Sequence, residues 1–315
     1  MPDTASQRWS HPSVVLVATD LSDLDRLMPF ALRQAAGTEA RLILLHVLAA
    51  GAAITVDPAG LPFYDPAGAL SVAEKELDSW SKQAQRQEIR CDAVVREGNA
   101  AHQIVAAARQ FKADRVLLGT RSRSKLGRLL LGSVAEQVLR SVNLPVVTVG
   151  PEAHLAVESN GRQKVVLHAT LLRETSHPSA VLACRIATSQ AARLVLLHVL
   201  PPVDEMERSG LPTGLDSTAL HELRTIAAQI AAAGGCVVDS VVVHGNPAIE
   251  ILAESVSRGA SLIVLGAIEH SVFQNLARDR TIYRVLAHAR CPVLTLREPL
   301  VTPDESEAEI MGTYS

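Results

Sequence analysis

From Gly119 to Ser133 the chain reads GTRSRSKLGRLLLGS, a stretch whose residue types suit the binding of a polyphosphate. Gly119 follows the apolar run RVLL, and a residue without a side chain lets the backbone turn sharply and come close to a ligand. Gly132 and Ser133 open the segment SVAEQVLRSV, so a helix begins at Ser133, and the unpaired amides and partial positive charge of a helix start suit an anion. Ser133 and Glu136 also stand at capping-box spacing, in which the hydroxyl only closes the helix. The two readings are compatible, because a hydroxyl at a helix start can also touch a phosphate. Arg121, Arg123, Lys125 and Arg128 lie between the glycines. Elsewhere they would read as a solvated face; inside this segment they supply the countercharge that a triphosphate needs.

These groups need a frame. VVLVATD (14–20) and ARLILLHVL (40–48) are short apolar, β-branched runs, with LMPFALRQAAG between them at helical spacing and a glycine stop at Gly37. AVVREG (93–98) and RVLLG (115–119) read as further strands around the helix AHQIVAAARQFKA, and PVVTVG closes the unit after SVAEQVLRSV. The order is βαβαβαβαβ, with strands apolar throughout, which predicts an α/β fold: a doubly wound parallel sheet of five strands covered by helices on both faces. Ligands of such sheets sit at the carboxyl ends of the strands. Residues 49–70 and 201–216, rich in proline and glycine, read as long loops at that edge, either lids or spacers.

The unit is written twice. Residues 165–200 repeat 14–48 and end on RLVLLHVL against RLILLHVL; REGNAAHQI at Arg96 answers VHGNPAIEI at Val243, and LPVVTV at Leu144 answers CPVLTL at Cys291. This predicts tandem domains at 14–150 and 164–298, a polar linker at 151–163 and an acidic tail at 299–315. The register holds but the chemistry does not. The second copy places Glu269 at Ser122, Asp279 at Gly132, Arg280 at Ser133 and Leu171 at Asp20. A carboxylate at a helix start satisfies the free amides itself and repels phosphate, so the sequence argues against the same ligand in the second copy.

Composition bounds the rest. The 315 residues are 48% hydrophobic, 20% charged and only 3% aromatic, with a net charge of −3, which fits a Val, Leu and Ala core and gives no general attraction to nucleic acid or an anionic membrane. The start MPDTASQRWSHP predicts no secretory leader, and no apolar run is long enough for a bilayer. Cys91, Cys184, Cys236 and Cys291 form no CxxC pair and fit a reducing cytosol better than a disulfide scaffold. No GxxxxGK(S/T), no GxGxxG after a strand, no GxSxG and no HExxH occur. His168 and His244 read as core and edge histidines, with a metal or anion site as the alternative.

The chain resembles the universal stress protein family in its tandem form. Nucleotide-binding members carry Gly, two residues, Gly, nine residues, Gly, then Ser or Thr; here the pattern is Gly119, two residues, Ser122, nine residues, Gly132, Ser133. The ATD at the first strand end, the EGN turn and LPVVTV match as well, and the likeness spans nearly the whole chain. It implies Rossmann-like domains of the adenine nucleotide alpha hydrolase type that bind ATP, alone or with Mg2+, through Asp20, Val47, Gly98, Gly119, Arg121, Ser122, Arg123, Gly132 and Ser133. Ser122 departs from the family glycine and implies weakened binding. Asp20 reads equally as a turn residue capping the next helix, Val47 as core, and Gly98 with Asn99 as turn geometry. The resemblance implies a cytoplasmic regulatory protein rather than an enzyme, with ATP in the first domain only. It also implies that the strands of His168 and His244 are neighbours, that PVVTV and PVLTL pair as an intramolecular pseudo-dimer, and that one chain can form a homodimer with another. Slow ATP hydrolysis, or an interaction module that binds no nucleotide, are the alternatives.

Overall fold

A computed structural model of the chain describes residues 8–48, 54–56, 62–120, 131–154, 163–172, 178–208, 215–268 and 279–298. The first half runs β1 (Val14–Thr19), α1 (Leu24–Thr38), β2 (Arg41–Leu48), β3 (Ile54–Val56), β4 (Pro62–Tyr64), α2 (Pro66–Gln85), β5 (Cys91–Glu97), α3 (Ala100–Gln110), β6 (Arg115–Gly119), α4 (Ser133–Ser141) and β7 (Val146–Val149). The second runs β8 (Val165–Ala169), α5 (Pro178–Ser189), β9 (Arg193–Leu200), α6 (Val203–Arg208), α7 (Leu215–Gly234), β10 (Val238–His244), α8 (Pro247–Ser257), β11 (Ala260–Ile268), α9 (Asp279–His288) and β12 (Val293–Glu298).

Each half is a parallel sheet wound in both directions from its first strand. The order β5-β2-β1-β6-β7 in one half and β10-β9-β8-β11-β12 in the other follows from right-handed crossovers. Alternation along β1 shows why its residues are apolar throughout. Val15 and Val17 face the core under α1 and α2, while Leu16 and Ala18 face the core under α3 and α4. All four are buried.

The halves join through their last strands. β7 runs antiparallel to β12, and Val147 stands opposite Leu294, its own counterpart in the repeat, so a pseudo-two-fold axis passes through that pair and one ten-stranded sheet results. The same axis brings together Glu136 and its counterpart Tyr283, whose hydroxyl donates to the Glu136 carboxylate at 3.3 Å. The Thr148 hydroxyl adds a bond to the Val293 carbonyl at 3.2 Å.

Backbone detail is duplicated even where the residues have changed. The left-handed residues fall into pairs across the repeat: Leu21 with Leu172, Glu39 with Ala191, Glu88 with Gly235, Gly98 with Gly245, and Lys112 with Gly259. A left-handed leucine is costly, and finding it at the same turn twice shows that the turn after the first strand is imposed by the fold.

Three expectations need correction. The segment 49–70 is not loop throughout: β3 and β4 form an antiparallel hairpin within it, and α2 already begins at Pro66 because Asp65 accepts a hydrogen bond from the Gly68 amide. Its counterpart contains the short helix α6. His168 and His244 do not lie on adjacent strands, since β9 separates β8 from β10; His168 is buried against the Val264 carbonyl at 2.9 Å, and the described residues contain no cluster able to hold a metal ion. The cysteines are not all free. Cys184 and Cys236 form a disulfide across a sequence separation of 52 residues, a proximity created by the packing of α5 on α7 that no local spacing could reveal. No described helix is long and apolar enough to cross a membrane.

Candidate functional site

At the carboxyl edge of the first half, β1 and β6 end side by side and α4 begins beside them. The connection between β6 and α4 is pinched at its base, because the Gly132 amide donates to the Thr120 carbonyl at 3.2 Å and the Thr120 amide to Val149 at 3.2 Å. Gly119 and Gly132 are thereby held together in space. They border a cleft of about 310 Å³ that is also lined by Thr19, Asp20, Asp23, His46, Val47 and Ser133. That volume lies at the lower end of the roughly 300–1,000 Å³ usual for small-molecule sites.

Five of the sequence candidates thus meet in one cleft: Asp20, Val47, Gly119, Gly132 and Ser133. Gly98 is not among the cleft's lining residues. It has φ +118° and its amide donates to the Leu48 carbonyl at 3.0 Å, so turn geometry accounts for it, while Asn99 caps α3 by accepting from the His102 amide. Arg121, Ser122 and Arg123 lie outside the described residues, as do Lys125, Arg128 and Glu269 and the side chains of Asp279 and Arg280.

The start of α4 differs from the capping box expected at Ser133. Gly132 is the N-cap, Ser133 is the first helical residue, and among the described residues no side-chain cap bond is made at the N-cap. Glu136 is turned to Arg140, at 2.6 Å, instead of back to the helix start. A glycine at the cap brings no side chain of its own to the free amides, which suits an outside acceptor, and the exposed Ser133 hydroxyl stands next to them.

Asp20 makes its own turn. Its carboxylate accepts from the Ser22 amide at 2.9 Å and the Ser22 hydroxyl at 2.6 Å, so it does not cap α1; that position belongs to Asp23. Val47 is half-buried, with one side on the core under α3 and the other on the cleft. Three polar lining residues, Thr19, His46 and Asp23, were missed in the sequence. His46 bonds the Thr19 carbonyl through Nδ1 at 3.0 Å, and His198 bonds the Thr170 carbonyl in the same way at 2.9 Å, so this contact is scaffolding common to both halves. Asp23 has a buried carboxylate that accepts from the Thr19 hydroxyl at 2.6 Å and faces Arg26 at 4.0 Å. A Cβ on Gly119 would come within 2.2 Å of its Oδ2. Gly119 is therefore required by Asp23, whatever else approaches it.

Residues 13–150 and 163–297 match the universal stress protein family. The chain belongs to that family. It is 27% identical over 307 residues to a universal stress protein of Mycolicibacterium smegmatis, covering 90% of this chain and 96% of the relative. A Thermus aquaticus universal stress protein is 31% identical over 136 residues, 43% of this chain and 96% of its own length, so that relative is matched by less than half of this one. The crystal structure of an Archaeoglobus fulgidus universal stress protein shares the fold at a TM-score of 0.67 and 20% identity, covering 90% of this chain and 98% of that one.

Within this universal stress protein fold Asp23 carries a measurable consequence. Burial pushes its carboxyl above the ordinary value of 3.8, helped by the Asp20 carboxylate and opposed by the Thr19 hydroxyl and the Arg26 guanidinium. The folded protein then keeps this proton to higher pH than the unfolded chain does. Asp23 thus contributes stability that is present below pH 3.8 and lost as pH rises through its folded pKa. Asp23→Asn is expected to remove that downward slope in denaturant titrations run at a series of pH values above 3.8. A variant whose slope equals the wild type's would show that Asp23 titrates elsewhere.

Proposed function

We propose that this universal stress protein is a regulatory nucleotide-binding protein that takes ATP in the cleft of its first half only. The observation that carries the reading is the start of α4, where Gly132 brings no capping side chain beside Gly119 while the second half places Asp279 at the start of α9. The triphosphate would lie at Gly119, Gly132 and Ser133, with Arg121, Ser122 and Arg123 from the intervening segment, and the nucleoside toward Asp20 and Val47. Leu171, which is 63% exposed, stands in the second half where Asp20 stands in the first and offers no acceptor to a ribose.

Mg2+ would arrive carried by the triphosphate, since Asp20 and Asp23 already accept from Ser22 and Thr19 and the described residues offer no preformed metal cluster. The second half serves as the fixed partner in an intramolecular pseudo-dimer, a reading supported by the antiparallel β7–β12 pairing. We place the protein in the cytoplasm and leave association of whole chains to β5 and β10, the outermost strands of the sheet. Calorimetric titration with ATP tests the proposal: one site per chain is expected. Two equal sites would remove the asymmetry, and no binding at millimolar ATP would leave an interaction module.

A further inference from the structure

The disulfide lies in the second half, in the core cluster that α5 and α7 share with the sheet. In the repeat, Cys184 corresponds to Leu32 and Cys236 to Ile89, which are both buried in the core shared by the sheet and its α1, α2, α5 and α7 face. The fold therefore brings these two positions into one apolar cluster in either half, and the second half has placed a thiol at each. Their Cα atoms stand 5.5 Å apart, a separation suited to a disulfide.

The two cysteines differ in exposure. Cys184 is fully buried in α5, whereas Cys236 is only partly buried, in the segment that follows the left-handed Gly235 and precedes Val237, itself 63% exposed. The other two cysteines are excluded from this chemistry. Cys91 and Cys291 are free and buried, and burial pushes their thiols up to about 11 and about 12, so little thiolate is available from either. A hydrogen bond parallel to the disulfide joins the same elements, from the Thr188 hydroxyl to the Gly234 carbonyl at 3.0 Å. Opening the S–S bond would thus loosen the contact between α5 and the end of α7 without abolishing it.

We propose that Cys184 and Cys236 form a reversible thiol-oxidation site, entered through Cys236, whose state sets how firmly α5 is tied to α7. In the reducing direction an external thiolate attacks Cys236 Sγ, the protein S–S bond breaks, and Cys184 leaves as a thiolate and takes up a proton. A second external thiol then attacks the mixed disulfide, releasing Cys236 as a thiol and leaving as its own disulfide. In the oxidising direction a low-molecular-weight disulfide such as oxidised glutathione accepts the two electrons by the reverse steps.

The test uses the full chain, equilibrated with oxidised glutathione or with dithiothreitol. Thiol titration after denaturation should find two thiols, Cys91 and Cys291, in the oxidised protein and all four after reduction. Reduction should lower the melting temperature by roughly 10 °C, because a closed loop of this size is released, and should speed amide exchange in α5 and the last turn of α7. Cys236→Ser should melt near the reduced wild type and ignore the redox state. The double variant Cys184→Leu with Cys236→Ile, which copies the first half, keeps the packing and should also be insensitive. Four thiols after oxidised glutathione, a native disulfide that resists dithiothreitol, or equal melting of both states would each overturn the proposal.

Discussion

Gly132→Asp is expected to weaken ATP binding by roughly a hundredfold while leaving the protein as stable as the wild type. Gly132 has φ −67° and ψ 144°, an extended conformation open to any residue, so the substitution brings no backbone strain. An aspartate there caps α4, which is worth only a few tenths of a kcal/mol over glycine. Its charge, however, would stand about 5 Å from the bound phosphates, and a repulsion of about 3 kcal/mol at an effective dielectric constant near 20 corresponds to about two decades in affinity. The variant reproduces in the first half the residue that the second half already has. Calorimetry and thermal melting on the same sample separate the two effects. Unchanged affinity would mean that the phosphates bind elsewhere, and lost affinity with a lowered melting temperature would indicate a folding defect instead.

Gly119→Ala should destabilise the chain by about 2–3 kcal/mol, near the upper end for overpacking one methyl group. The new Cβ would fall 2.2 Å from Asp23 Oδ2, and the carboxylate cannot simply swing aside, because it is held by the Thr19 hydroxyl at 2.6 Å and buried under the strand end. Asp23→Ala alone is also costly, about 1–3 kcal/mol, since it leaves that hydroxyl without its acceptor and Arg26 without its carboxylate. In the Asp23→Ala background the alanine at 119 finds the space empty. The double variant should be no less stable than Asp23→Ala alone, a coupling of about 2 kcal/mol readable from urea denaturation. Additive losses would show that the glycine answers to something other than Asp23.

These two glycines show what the sequence disclosed and what it withheld. The strand order could be read because each βα unit has a local signature, and the repeat supplied a second copy of every one. The cleft could be read in outline because Asp20, Gly119, Gly132 and Ser133 each sit directly at a strand end or helix start, where position in sequence nearly fixes position in space. The reason for Gly119 was hidden, because its constraint is a side chain on a different element, Asp23 at the head of α1. The cap of α4 was misassigned by one residue, since SxxE spacing fits Ser133 equally well as a cap or as the first helical residue; the turn of Glu136 toward Arg140 and Tyr283 decides between them, and Tyr283 arrives from the other half. The disulfide was invisible for the same reason, as 52 residues and two helices separate its cysteines. Contacts made along the chain were legible, and contacts made across it were not.

The central claim is that one scaffold, used twice, keeps its phosphate site in one copy only. The most direct measurement is a crystal structure of the chain grown with saturating ATP. It should show phosphate density between Gly119 and Ser133, against the first turn of α4, and none at the start of α9. Triphosphate density at both helix starts, or at α9 alone, would contradict the account.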